Sequence, residues 1–256
     1  MSGVAPQGVS TWGSWIVHGG AFCRACGSRA VQRVIDLGSV ALALCIECAL
    51  AQLDGDSSNA THPCLDYPEP RADEVTQMLR TADAAELLVG DTVRQFGGRH
   101  GGSWLPLLTQ MGFTPVFGGQ ADVVVDNFGA VHDPDQRSAF RMLAESTAPG
   151  GVLLLQFDSI ADLVRCGRWD SLSPNHFAYY SLTALIRMLA DVGMSVVSVW
   201  RIDPVRGTTM AAAVHARYWP ADAGVERMLA DEHQLKITST EGFTAGSVWA
   251  EANRVR

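Results

Sequence analysis

Residues 121–157 read ADVVVDNFGAVHDPDQRSAFRMLAESTAPGGVLLLQF. Ala121–Asn127 is an apolar, valine-rich run of the length expected for a buried strand. Asp135–Ser146 follows as an amphipathic helix, stopped by Ala148-Pro149-Gly150-Gly151, and Val152–Phe157 is a second buried strand. Strand and helix in alternation are the mark of a parallel sheet with crossover helices.

The pattern continues on both sides. Upstream, Asp73–Ala85 has helical character. Asp91–Phe96 reads as a strand running into Gly97-Gly98-Arg99-His100-Gly101-Gly102, and Ser103–Met111 as a helix before a short strand, Thr114–Phe117. Downstream come a helix (Ser181–Val192), a strand (Ser195–Ile202) and a last strand (Thr208–His215) paired antiparallel to it. Strand, glycine-rich turn and helix open many nucleotide-binding folds, because backbone amides at a helix N-terminus receive polar ligand groups. The four glycines here lack the GxGxxG spacing, so a plain loop fits the residues equally well. His132 follows the ADVVVDN strand at its C-terminal end, where such sheets bind ligands.

Ahead of this domain stand two cysteine pairs, Cys23-Arg-Ala-Cys26 and Cys45-Ile-Glu-Cys48, with eighteen residues between them. That spacing suits a four-thiolate zinc site. Each CxxC turn presents two sulfurs on one side, and two facing turns complete a tetrahedron. Cys23, Cys26, Cys45 and Cys48 are therefore expected to hold one structural Zn2+ in a ribbon with a strand at Val31–Leu37. Cys64 and Cys166 stand alone and read as inert thiols. Residues 54–72, rich in proline and turn formers, read as a linker. The expected organisation is a zinc-binding domain over residues 1–65, a Rossmann-like domain over 73–220 and a short C-terminal extension over 221–256.

Hydrophobic residues make up 47% of the 256 and charged residues 18%, ordinary for a globular protein. The formal charge is −8 and Lys236 is the only lysine, which disfavours a nucleic-acid binder that would need a basic face. No basic stretch leads into an apolar run at the N-terminus, and no apolar segment approaches the ~20 residues of a membrane span. A cytoplasmic protein acting on a small molecule is expected, with no nucleic acid or membrane partner and the oligomeric state left open.

Several segments together resemble the zinc-binding C-methyltransferases that act on nucleotide-linked keto-deoxysugars in natural-product (antibiotic) pathways. They are CRACGSRAVQRVIDLG with CIECALAQLD, LLTQMGFTPVFG, the 121–157 stretch, WDSLSPNHFAYYSLTALIRMLADVGMSVVSVWRID and RGTTM, from about Cys23 to His215. The resemblance implies an α/β fold: a Rossmann-like methyltransferase sheet with a small N-terminal zinc ribbon. It also implies S-adenosylmethionine as cofactor, its methionine end over Gly97, Gly98, Gly101 and Gly102 and its adenosine near Asp126 and Asn127. In the family a base in a D-T-I-Y-H-E-H-L-S-Y-F-S segment removes a proton beside a ketone, and the enolate attacks the cofactor methyl.

The chain departs from the family in three places. The first turn, E-I-G-S-N-D-G in relatives, has lost both acids, and Gly118-Gly119-Gln120 replaces the acid that holds the ribose. About one helix and one strand that follow in relatives are deleted before ADVVVDN. A buried ribose without its carboxylate leaves donors unpaired, at about 1–3 kcal/mol; Asp91 and Asp126 remain as substitutes and His100 as a stand-in for a lost acid. In the substrate segment, His176 and Tyr179 survive while Ser173, Pro174 and Asn175 replace the Tyr, His and Glu. Finally, about 40 residues follow His215, where relatives carry a large C-terminal domain.

His176 is the leading catalytic candidate, since imidazole titrates near working pH; His132 and Tyr179 are the supporting ones, although Tyr179 and Tyr180 also read as packing residues. His18, His62, His215 and His233 read as surface or core histidines. Three functions are weighed: an S-adenosylmethionine-dependent C-methyltransferase on a keto intermediate; the same scaffold limited to proton abstraction beside a carbonyl, as an isomerase, epimerase, dehydratase or cyclase; and a non-catalytic pathway partner.

Overall fold

A computed structural model describes residues 22–38, 40–55, 72–97, 102–172, 176–203, 207–215 and 220–253. In chain order the elements are β1 (Val31–Asp36), β2 (Val40–Cys45), β3 (Ala51–Gly55), α1 (Ala72–Ala84), β4 (Thr92–Gly97), α2 (Leu105–Gln110) and β5 (Thr114–Pro115). There follow β6 (Ala121–Asn127), α3 (Gln136–Ser146), β7 (Thr147–Asp158), α4 (Ile160–Cys166), β8 (Ala178–Tyr179) and α5 (Leu182–Asp191). The last are β9 (Ser195–Asp203), β10 (Thr208–Val214), α6 (Ala223–Gln234) and α7 (Thr244–Asn253). None of the described helices is long and apolar enough to cross a membrane.

The larger sheet has the order β5-β4-β6-β7-β10-β9. β5, β4, β6 and β7 are parallel. The strand expected at Thr208–His215 is β10, and it is antiparallel to β7 as well as β9 because it inserts between them. One face carries Val124, Leu153, Leu155 and Phe157 against α3, α5 and α6. The other carries Val123, Val125, Val152 and Leu154 against α1 and α2. The result is a Rossmann-like α/β layer structure.

Local chemistry sets the helix starts. The Asp135 carboxylate accepts from Ser138 N at 3.1 Å and the Ser181 hydroxyl from Ala184 N at 3.0 Å, each filling an orphan donor of a first turn. The helix expected at Ser103 begins instead at Leu105, whose next residue is Pro106, suited to a first turn.

The larger sheet is cut short at one edge. β5 pairs with β4 only at Thr92 and Val93, whereas β4 runs on beside β6 to Gly97. The chain turns back through Val116–Gln120, with Phe117 90% exposed, so the sheet edge beyond Val93 has no strand partner among the described residues.

The four-stranded sheet has the order β1-β2-β3-β8, so its last strand comes from residues 178–179 of the main chain segment. Its cysteines share one core cluster with Val124, Leu153 and Tyr180. The C-terminal segment is fastened to α5 and to the smaller sheet. The Glu232 carboxylate accepts from Leu182 N (2.5 Å), Thr183 N (2.9 Å) and Thr183 Oγ1 (2.7 Å), and Ser247 Oγ donates to Val34 O.

Candidate functional site

The four cysteines meet crosswise. Cys23 Sγ lies 3.4 Å from Cys48 Sγ and Cys26 Sγ 3.6 Å from Cys45 Sγ, and all four sulfurs lie within 4.8 Å of one another. Sulfurs about 2.3 Å from one tetrahedral ion stand about 3.8 Å apart, so the set fits zinc. The two turns are built alike. Gly27 N donates to Cys23 O and Ala49 N to Cys45 O, and both closing residues take left-handed φ values, 74° and 63°. The hydrogen bond from Cys48 draws the Cys23 thiol down to about 5, while Cys48 is pushed up, first by its bond to Cys23 and then by burial. Three of the four sulfur-bearing residues are buried and Cys26 is half-buried, so a cation among them would let all four act as thiolates.

At the carboxyl ends of β4 and β6 the chain leaves in opposite directions, to β5 on one side and toward β7 on the other, which is where open α/β sheets bind ligands. After β6 a single turn of 3-10 helix, Ala130–His132, carries His132. Phe177 N donates to Val131 O at 2.8 Å and brings the segment before β8 alongside. His132 and His176 therefore meet edge to face, ring centroids 4.6 Å apart and planes at 80°. His176 is 3% exposed. Tyr179 lies 5.7 Å from the His176 ring and packs in the core of the smaller sheet with Leu42 and Leu44. Tyr180 is structural: burial raises its pKa, its hydroxyl donates to Gln136 Oε1, and its ring packs edge to face on Phe140 and Phe157. Gln136, unremarked in the sequence, also donates through Nε2 to Ala130 O (2.8 Å) and Asp133 O (2.6 Å), fixing the turn that carries His132.

The residues expected around a cofactor divide. Gly98, Arg99, His100 and Gly101 lie outside the described residues, as do Ser173, Pro174, Asn175, Cys64, His18 and His62. Gly97 sits where a Cβ would come within 2.2 Å of Asn127 O and 2.7 Å of Gly129 N, so only glycine fits between the strand ends. Gly102 O accepts from Asn127 Nδ2 at 2.8 Å, which ties the end of the glycine loop to β6. Asn127 Oδ1 and both amide atoms of Gln156, its register partner on β7, are buried without a hydrogen-bond partner. Trp104 Nε1, in the cluster on the same face, is in the same condition. Buried polar atoms normally have partners, so these mark a place for a polar ligand group or water. They fit the ammonium and carboxylate of an amino acid, the methionine end of S-adenosylmethionine.

The nucleoside end fares differently. The Asp126 carboxylate, expected near adenosine, accepts from Ala130 N at 3.1 Å on the opposite face, and burial raises its pKa to about 6. It caps the turn that holds His132. Asp91, the other substitute, precedes β4 at its N-terminal end, away from the strand ends that carry the site. β5 pairs with β4 only as far as Val93, so among the described residues no strand flanks that edge of β4 at the level of Gly97. His215 Nε2 pairs with Ala144 O at 2.9 Å, and His233 is on the surface.

No protein-family model matches the chain. The C-methyltransferase NovU of Streptomyces niveus is 27% identical over 107 residues, 41% of this chain and 26% of that protein. The likeness is distant, and the matched stretch spans about a quarter of that relative. Among solved structures, the CcbJ methyltransferase of Streptomyces caelestis aligns over 58% of this chain and 97% of its own, with 15% identity and a TM-score of 0.41. The magnesium protoporphyrin IX methyltransferase ChlM of Synechocystis PCC 6803, solved with bound SAH, aligns over 56% and 83%, with 16% identity and a TM-score of 0.39.

Proposed function

We propose that the chain is a methyltransferase-like enzyme that removes a proton from a carbon beside a carbonyl, as the first half of a C-methylation on a small keto compound. The observation that carries this reading is the convergence of His132 and His176 at the carboxyl end of the sheet. An imidazole held in a fixed place can take a proton and return it, which a general base must do. His176 takes the proton. His132, held by the Gln136 and Asp126 contacts to its turn, fixes the ring that His176 packs against. The likeness to a C-methyltransferase over 107 residues supports a carbon acceptor, and the family resemblance supports a nucleotide-linked keto-sugar of natural-product biosynthesis.

S-adenosylmethionine, when bound, supplies an electron-poor methyl carbon for the enolate. Asn127 and Gln156 would hold its amino-acid end. The four cysteines hold one zinc ion with a structural role, in keeping with a reducing compartment such as the cytoplasm. A second reading, deprotonation without methyl transfer, is favoured by one observation: β5 stops four positions short of Gly97 in the register of β4, and the ribose loses its wall.

The two are separated by incubating the protein with a nucleotide-linked keto-deoxysugar in deuterated water, with and without S-adenosylmethionine. A methylated product that forms only with the cofactor supports the first reading. Deuterium uptake unaffected by the cofactor, with no methylated product, supports the second.

A further inference from the structure

The cysteine knuckle and the histidine pair are mechanically joined, and one side chain reaches from the first to both segments of the second. Arg24 lies inside the first CxxC turn, between Cys23 and Cys26. Its backbone N–H donates to Gln52 Oε1 at 2.9 Å, and Gln52 Nε2 returns a bond to Phe22 O at 2.9 Å, so the turn is locked onto β3. Its guanidinium leaves the knuckle and reaches both histidine-bearing segments. Nη1 donates to Pro134 O at 3.2 Å, two residues beyond His132. The carbon of the guanidinium lies 4.9 Å over the ring of Phe177, next to His176. Nη2 reaches Leu53 O at 3.4 Å, and Leu53 N in turn donates to Phe177 O at 3.3 Å. A second arm runs the same way: Arg137 Nε, at the start of α3, donates to Ala25 O at 3.2 Å.

These contacts have no counterpart in a merely solvated arginine. Arg24 is half-buried, and a charge drawn partly out of water carries a cost that a side chain on the surface would avoid. The flat guanidinium meets two carbonyls and one aromatic face together, a combination lysine cannot reproduce. We propose that Arg24 is a positioning residue that transmits the rigidity of the metal-bound knuckle to the His132–His176 pair. The pair's edge-to-face geometry then depends on the metal, although no cysteine touches either ring among the described contacts. The inference rests on reading that pair as the reacting site, but its test needs no substrate.

The full-length zinc-loaded protein is labelled in its histidine rings, and the His132 and His176 signals are assigned with His132→Gln and His176→Gln. Arg24→Met should keep the metal content and secondary structure while shifting the ring signals of both histidines, and leave those of His215 and His233 in place. Arg24→Lys, which keeps a donor for Pro134 O but not the stack, should restore the His132 signal more than that of His176. If Arg24→Met releases the metal, Phe177→Leu removes the stack without touching the knuckle and should shift His176 alone. Chelation of the zinc should move both rings. Unchanged His132 and His176 signals in Arg24→Met, or an unchanged His176 signal in Phe177→Leu, would overturn the proposal. Should the rings move as expected while no proton is exchanged from any keto substrate, the functional reading fails and the positioning role stands.

Discussion

The rings of His132 and His176 stand edge to face at 4.6 Å although they arrive on different parts of the chain. One ends the turn after β6, and the other precedes β8, the strand lent to the smaller sheet. Their meeting depends on the bond from Phe177 N to Val131 O, and on Gln136 and Asp126, which fix the turn from within. Residues that act as one unit lose function together. His176→Gln should lower turnover by roughly 10²–10⁴-fold, the usual contribution of a positioned general base. The double variant with His132→Gln should be little worse, because their effects are not additive. Steady-state kinetics on the three proteins checks this; additive losses would mean the two rings act separately.

The cysteine set makes a second prediction. Purified protein should carry close to one zinc per chain by elemental analysis, and Cys45→Ser should lose both metal and soluble yield. Metal-free protein that stays folded with four titratable thiols would contradict the zinc assignment. The test bears on the whole core, since Cys23, Cys45 and Cys48 share a cluster with Val124 and Leu153.

Asp126 sets a pH dependence. Burial raises its carboxyl from 3.8 to about 6, so the folded chain holds a proton that the unfolded chain has released. Its contribution is fully present below about pH 3.8 and lost as pH rises through about 6. Asp126→Asn keeps an acceptor for Ala130 N without the charge. It should raise the thermal midpoint at pH 7.5 and flatten the change in stability between pH 4 and 6.5. A midpoint that falls at pH 7.5 would show that the ionised cap is needed.

Gln156 distinguishes a ligand site from a packing flaw. A buried amide with no partner costs about 1–3 kcal/mol, so Gln156→Leu should leave the ligand-free midpoint unchanged or higher. If Gln156 and Asn127 receive an amino-acid end, the same substitution should weaken S-adenosylmethionine binding by calorimetry. Equal affinity in both proteins would remove Gln156 from the site. In either protein the binding should be weak, because among the described residues no strand flanks the β5 edge of β4 beyond Val93.

What was legible in the sequence was local. ADVVVDN forms β6 with the bounds expected of it, and the CxxC spacing brings four sulfurs within one ion's reach. What was not legible depends on chain direction and on distant partners. The resemblance puts Asp126 near adenosine, but alternation turns it to the opposite face from Asn127, where it caps a turn. The strand at Ala178–Tyr179 is two residues long and forms only because β3 presents an edge. Helices α6 and α7 carry weak apolar periodicity and are held by Glu232 and Ser247, side chains whose partners lie far away in sequence. Gln136 and Arg24 give no motif at all; only their contacts reveal them.

If His176 takes a proton from carbon beside a carbonyl, deuterium uptake at that carbon reports it. A nucleotide-linked keto-deoxysugar is incubated with wild-type protein and with His176→Gln in deuterated water, and the proton signal beside the ketone is followed by NMR. That signal should be lost with wild-type protein and lost roughly 10²–10⁴-fold more slowly in the variant, with fold and zinc content unchanged. Exchange at equal rates in the two proteins would contradict it, and would make His176 a structural residue of the β8 segment.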